Sequence, residues 1–246
     1  GPPDVGVQIP PDTKDLKSKT GAAFAMCMEE YCKDAVELYL KYSGCKKLKH
    51  VPTPFCPEGS LVLADEDIVG ELSSNCCSMV MKALWLARLS RPDAFKAIGD
   101  LASHMTKWSR NDDKRLHRLM CYLGSTKHYS LVGKVHDKGP DLKLLLFVDA
   151  DLAGGTDDAR STSGGFLVLA GPNTWFPLMW LCKRQTASAR STTEAEVVSL
   201  AESLFEHAIP TLDLWDLILG RKVDLYILED NQATIAVCKR GYSPKL

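Results

Sequence analysis

Asp149 lies near the end of an apolar run (Leu-Leu-Leu-Phe-Val-Asp-Ala-Asp, residues 144–151), Glu196 closes Ser-Thr-Thr-Glu-Ala-Glu (191–196), and Asp230 follows Leu-Tyr-Ile-Leu-Glu (225–229). Three acids in such settings suit one chemistry, the hydrolysis of a phosphodiester. In-line displacement needs charge stabilised on both the attacking and the leaving oxygen, which hard divalent cations held by carboxylates can do. Carboxylates alone would repel the substrate, so the reading requires Mg²⁺, with Mn²⁺ as a substitute. Taken singly, an Asp at a strand end is also an ordinary turn former. If the three converge, at least one should have a raised pKa until a cation relieves the repulsion.

The elements that would bring them together can be read from the same half of the chain. Residues 142–148, 164–170 and 175–182 are strand candidates separated by Gly- and Pro-bearing turns, and Pro177 suggests an edge strand or an irregularity. Ser191 and Glu194 form a Ser-x-x-Glu capping box, and Val197, Leu200, Ala201 and Leu204 offer a buried stripe for the helix it opens. Pro210 interrupts, Leu214, Leu217 and Ile218 continue helically, and Gly220 ends the run. Residues 223–229 alternate as a strand and 231–239 restart a helix. Three strands, helix, strand, helix implies an α/β fold with a mixed sheet and helices across it. A helical crossover returns its strand parallel to the first. Asp149 and Asp230 would then emerge at one sheet edge, with Glu196 leaning over it from the second helical turn.

Ahead of this, residues 1–20 read as an extended lead-in with four prolines. From Gly21 to Tyr42, Phe24, Met28, Tyr31, Ala35, Leu38 and Tyr42 predict one helical face, stopped by Ser43-Gly44. The prolines of residues 51–59 exclude a helix and mark a linker. Three further stripes predict a small helical unit: Val80, Ala83, Leu84, Ala87; then Phe95, Ile98, Ala102, Met105; then Leu116, Leu119, Met120, Leu123. The last helix carries Lys114, His117, Arg118 and Cys121 on its other face, with Arg110 a turn earlier, either a solvated polar face or a phosphate contact.

At 246 residues and 45% hydrophobic, the chain has material for one large or two small domains, and a net charge of −1 gives no global field toward nucleic acid. Contact with phosphates would have to come from local basic clusters. Lys183, Arg190, Ser191, Thr192 and Thr193 surround a helix start whose amides favour phosphate, and Arg160, Ser161 and Thr162 offer a second backbone position. Loop and capping roles would equally account for Ser161, Thr162, Ser191 and Thr193. His207 is expected to be a surface or packing residue. Nine cysteines without Cys-x-x-Cys spacing, and no long apolar span, predict reduced thiols in cytoplasm or nucleus, no zinc site and no membrane partner.

An ordered series of words extends these observations: Glu29-Glu-Tyr-Cys to Val51-Pro-Thr-Pro, Leu89-Ser-Arg-Pro-Asp93, His117-Arg-Leu-Met-Cys-Tyr-Leu-Gly-Ser-Thr-Lys127, Val148-Asp-Ala-Asp-Leu-Ala-Gly154, Arg160-Ser-Thr-Ser-Gly-Gly165, Ser191-Thr-Thr-Glu-Ala-Glu196 and Asp230-Asn-Gln-Ala-Thr-Ile235. Together they resemble the C-terminal part of a copia-type retrotransposon Pol polyprotein, from the end of the reverse transcriptase through most of the ribonuclease H domain.

The resemblance implies that residues 21–60 end the reverse transcriptase, 61–135 are a thumb- or connection-like unit, and 140–246 are a ribonuclease H-like domain with a five-stranded type of mixed sheet, truncated at its C-terminus. It implies Mg²⁺-dependent cleavage of the RNA strand of RNA–DNA hybrids by Asp149, Glu196 and Asp230, with Asn231 and Gln232 added to the substrate contacts. It also implies the rest of Pol, reverse transcriptase and integrase, as partners. Leu152 stands where the family often has Trp, a packing change. No Tyr-x-Asp-Asp motif is present, so DNA synthesis is not expected of this chain. The family's fourth acid lies downstream of the Asp-Asn-Gln helix, so the two-metal site is expected to be incomplete. The rival expectation is a catalytically impaired or domesticated remnant that binds nucleic acid or a protein.

Overall fold

The computed structural model describes residues 21–152 and 160–241; the expected lead-in at 1–20 lies outside them. The described residues divide into two compact units, 25–131 and the described part of 132–241 together with 21–24.

In the first unit, helices α1 (Glu29–Ser43), α2 (Cys76–Leu89), α3 (Phe95–Ser103) and α4 (Arg110–Ser125) share one core. The apolar stripes meet there: Val80, Ala83 and Ala87 of α2, Ile98 of α3, and Leu116, Leu119, Met120 and Leu123 of α4 are buried together. Helix α1 starts later than its periodicity predicts, because Ala22–Cys27 forms a strand, β1. Three alanines in that segment favour helix, and strand pairing overrides the preference. Phe24 and Tyr42 are exposed, and the buried face is Cys32, Ala35 and Tyr39. Gly44 ends the helix in the left-handed conformation (φ 64°), its N–H donating to the Leu40 carbonyl. Residues 51–59 form no helix.

The polar side of α4 is not the open basic face that was one expectation. Lys114 Nζ lies 2.6 Å from Asp65, Arg118 donates to the Thr53 carbonyl, His117 Nδ1 is 2.7 Å from the Tyr39 hydroxyl, and Cys121 is buried. These groups hold loops and α1 onto α4. At the α2–α3 corner, Arg91 is 2% exposed and donates to Asp93, to the Thr126 carbonyl and to the Thr126 hydroxyl. Its guanidinium also lies 5.5 Å from the Tyr122 ring centroid. One planar fork thus ties the corner to the end of α4.

The second unit is built on β2 (Ser130–Val135), β3 (Lys143–Asp151), β4 (Thr162–Gly171), β5 (Thr174–Arg184) and β6 (Leu225–Leu228), in a six-stranded mixed sheet of order β1-β2-β5-β4-β3-β6. The sheet therefore exceeds the five-stranded expectation, and β1 and β2 are the strands the residue pattern does not announce. β6 runs parallel to β3, Leu144 opposite Leu225 and Phe147 opposite Leu228, as the crossover argument requires. Pro177 marks an irregularity rather than an edge: β5 is interior, and its register against β4 slips from Leu167/Met179 to Val168/Pro177.

Alternate residues of β3 serve two cores. Leu144, Leu146 and Val148 pack with Leu167, Leu169 and the helical residues Leu200, Leu204, Ala208, Leu212 and Trp215. Leu145 and Phe147 pack with Val168, Ala170, Phe166, Trp175 and Leu228. A strand apolar on both faces is the mark of a sheet centre. Pro210 does not break the helical crossover. Helix α5 (Thr192–Ser203) passes through a π-helical turn at Leu204–Ala208 into α6 (Ile209–Leu219), and Pro210 stands at the start of α6, directly after that turn. Leu214, Leu217 and Ile218 are helical but exposed. Gly220 caps α6, and α7 (Gln232–Arg240) follows β6. All nine cysteines are free thiols. No helix of the described residues is long and apolar enough to cross a membrane.

Candidate metal centre

The approach of α5 to the sheet sets the site. Its buried face is not the aliphatic stripe Val197, Leu200, Ala201, Leu204 but Ala195, Glu196, Ser199 and Ser203, with Leu200 and Leu204 only partly buried. Gly165 of β4 makes this face possible. A Cβ added at Gly165 would sit 2.5 Å from the Ser203 hydroxyl oxygen, and one at Gly164 would lie 3.4 Å from the Asp149 carbonyl. With no side chain there, the Ser199 hydroxyl donates to the Asp149 carbonyl at 2.7 Å and reaches the Gly164 carbonyl at 3.2 Å. The helix is thereby fastened to the end of the strand that carries the first acid.

The helix start is fixed separately. Ser191 accepts from the Glu194 N–H, and the Glu194 carboxylate accepts from the Arg190 N–H rather than from Ser191, a capping box displaced by one residue. Gln185, 2% exposed, donates to the Ser163 hydroxyl and to the Ala195 carbonyl, joining the end of β5 to the first turn of α5. Neither Gln185 nor Ser199 stands out in the sequence. An amide in a basic run and a serine on a helix reveal their positioning roles only once the partners are known.

Asp149, Glu196 and Asp230 come together: one carboxylate oxygen from each lies within 4.8 Å of the others. Glu196 is 3% exposed, and its Oε2 is buried without a hydrogen-bond partner. Burial, then the negative charges of Glu229, Asp149 and Asp230, push its carboxyl up to about 7, against an opposing hydrogen bond from the Ala150 N–H. An acid in this condition has two ways to relief, a proton or a cation.

Glu229 is the functional candidate that the residue pattern passed over. It ends the alternating run before Asp230, its Oε1 accepts from the Asn231 N–H at 2.9 Å, and its Oε2 is buried without a partner. Burial first, then Asp230 and Asp149, raise its carboxyl as well. The adjacent pair Glu229-Asp230 at a strand end was the available signal. The donor set is all oxygen and acidic, which fits a hard cation such as Mg²⁺ or Mn²⁺.

The expected substrate contacts divide. Ser161 is fully buried, its carbonyl accepting from the Gln185 N–H, and is withdrawn as a contact. Lys183 faces Glu202 and Glu206 at 3.5 and 3.8 Å. Ser191 and Asn231 serve as helix N-caps, the latter accepting from the Thr234 N–H. Arg160, Arg190, Thr192 and Gln232 are exposed, and Thr162 and Thr193 are half-buried. His207 lies half-buried in the π-helical turn.

A mixed sheet with helices across it and three acids at one strand edge defines an α/β unit compatible with a ribonuclease H-like arrangement. The chain is similar to copia-type retrovirus-related Pol polyproteins. It is 34% identical over 127 residues to the Retrovirus-related Pol polyprotein from transposon RE2 of Arabidopsis thaliana, covering 52% of this chain and 8% of that protein. It is 26% identical over 236 residues to that from transposon TNT 1-94 of Nicotiana tabacum, covering 93% of this chain and 17% of the relative. Secreted RxLR effector protein 161 of Plasmopara viticola is 33% identical over 129 residues, 52% of this chain and 86% of the effector. The chain thus spans 8% and 17% of the two Pol polyproteins. No family model and no solved structure matches it.

Proposed function

We propose that residues 132 onward are a ribonuclease H unit that hydrolyses the RNA strand of RNA–DNA hybrids, and that 25–131 are the reverse-transcriptase-derived helical unit preceding it in Pol. The observation that carries this reading is the convergence of Asp149, Glu196 and Asp230 within 4.8 Å, with a buried, unpartnered oxygen on Glu196. These three would hold Mg²⁺. Bound there, the cation would activate water and stabilise charge on the leaving oxygen. The chain's own part is positional. Ser199 ties α5 to β3, Gly165 lets α5 close on β4, and Asn231 caps α7 immediately after Asp230. Arg160, Arg190, Thr192 and Gln232, exposed around these termini, supply donors for the phosphate backbone of either strand.

A second reading, a module that binds without cutting, draws on the raised Glu196 carboxyl, which competes for a proton near neutrality when no cation is bound. One assay separates the two. With Mn²⁺ and a labelled hybrid, the chain is expected to cleave the RNA strand and leave duplex DNA intact, and Asp149→Asn or Asp230→Asn is expected to abolish cleavage. Hybrid binding without cleavage under any divalent metal would give the result to the second reading.

A further inference from the structure

The helical unit contains a cavity of about 510 Å³ between α1, α4 and the segment that follows α1. Its lining is strongly one-signed. Lys46, Lys47, Lys49 and His50 come from a five-residue stretch with no regular structure, Lys33 from α1 and Lys127 from the turn after α4. Glu37 is the single acid among the lining residues. Lys33 is already paired, with Glu30 at 2.6 Å and Glu29 at 3.2 Å. Lys46, Lys47, Lys49 and Lys127 are exposed, and among the described residues no acid pairs with them. That contrasts with α4, where Lys114 and Arg115 are each bound to a carboxylate. The unpaired charge acts inward too: after burial, Lys49 is what lowers the His117 imidazole below its usual range.

The cavity also has an apolar floor, Val36 and Leu40 of α1 with Leu48. Gly124 of α4 keeps that floor flush, since a Cβ there would come within 3.3 Å of Leu48 Cδ1. Four unneutralised ammonium groups concentrate a positive field over a concave surface. A small hydrated anion would use the rim and leave the floor empty, whereas a strand with phosphates on one side and sugar or base faces on the other would use both. Lysines are flexible point charges that hold a backbone without reading sequence. The size is in the range of about 300–1,000 Å³ usual for ligand sites.

The geometry points to this cavity as a binding site for the phosphodiester backbone of a nucleic-acid strand, centred on Lys46, Lys47, Lys49 and Lys127. It does not depend on the acidic centre and stands whether or not the chain cuts.

The test measures anisotropy of a fluorescent RNA–DNA hybrid with the full chain carrying Asp149→Asn, so that binding is read without hydrolysis. Adding Lys46→Gln, Lys47→Gln and Lys49→Gln together is expected to weaken binding tenfold or more at low salt. The slope of log K against log[salt] should fall by about 2 to 3, at about 0.9 for each phosphate no longer neutralised. The corresponding triple change to Arg is expected to keep the affinity, and Glu37→Gln to tighten it severalfold. Acetylation footprinting of the chain without lysine changes covers the case of a misfolded variant: Lys46, Lys47, Lys49 and Lys127 should be protected by the hybrid, and exposed Lys107 should not. Unchanged affinity and slope in the Gln triple overturns the site. So does equal labelling of the four lysines with and without hybrid, or binding of a polyaspartate peptide as tight as that of the hybrid.

Discussion

Replacing Glu196 by Gln should make the metal-free protein more stable, and by an amount that depends on pH. In the folded chain the Glu196 carboxyl titrates at about 7 against 4.5 for an unperturbed Glu, chiefly because it is buried and faces Glu229, Asp149 and Asp230. The folded state therefore binds this proton more tightly than the unfolded state. The contribution of this group to stability is therefore neutral below about pH 4.5, becomes unfavourable as pH rises from about 4.5 to about 7, and is constant beyond. About 2.5 pH units at roughly 1.36 kcal/mol each is a penalty of about 3 kcal/mol at pH 8. Glu196 is 3% exposed, so solvent screening does not reduce this much. Native-state hydrogen exchange of the β3 amides in chelator reads this unit without interference from the helical one. Glu196→Gln is expected to gain about 3 kcal/mol at pH 8 and almost nothing at pH 4. An equal gain at both pH values, or none at pH 8, would refute the reasoning. Because a cation must displace the same proton, Mn²⁺ affinity of the unsubstituted chain should fall about tenfold per pH unit below 7.

Two further perturbations test the framework around the site and the clamp of the helical unit. Gly165→Ala is expected to cost about 1–3 kcal/mol and to weaken Mn²⁺ binding in calorimetry, because the new methyl would meet Ser203 Oγ at 2.5 Å and Ser203 Cβ at 3.2 Å; adding Ser203→Ala removes the first contact but not the second and should recover part of both losses. Arg91→Met should destabilise the helical unit by about 3 kcal/mol in urea unfolding, since it leaves Asp93 and Thr126 without their buried partner, and a loss below about 1 kcal/mol would show the clamp to be dispensable.

The sequence made the acidic centre legible because its logic is topological. Apolar runs before Asp149 and Asp230, with a capped helix between them, leave few ways to connect, and the parallel β3–β6 pairing follows. What stayed hidden depends on contacts between elements. The alanines of β1 carry helix propensity, and its exposed Phe24 happens to fall at helical spacing from Met28. β2 is short and only half-buried, so its alternation is weak. The inner face of α5 could not be read from hydrophobicity, since Ala195, Ser199 and Ser203 are buried for their smallness against Gly164 and Gly165. Lys114 and His117 looked free for the same reason: Asp65 and Tyr39, which engage them, lie 49 and 78 residues away.

Gly165 of β4 also bears on how copies of such a sequence decay. Drift in an element no longer under selection strikes every codon, and loss of function is usually scored at the acids themselves. Here the spacing between α5 and β4 depends on an absent methyl group at position 165, which a single nucleotide change can supply. A copy that kept Asp149, Glu196 and Asp230 but gained a side chain at Gly165 would match at all three acids while its α5–β4 contact had to shift. A match at the three carboxylates alone therefore says nothing of their separation, and Gly165 is the position to read beside them.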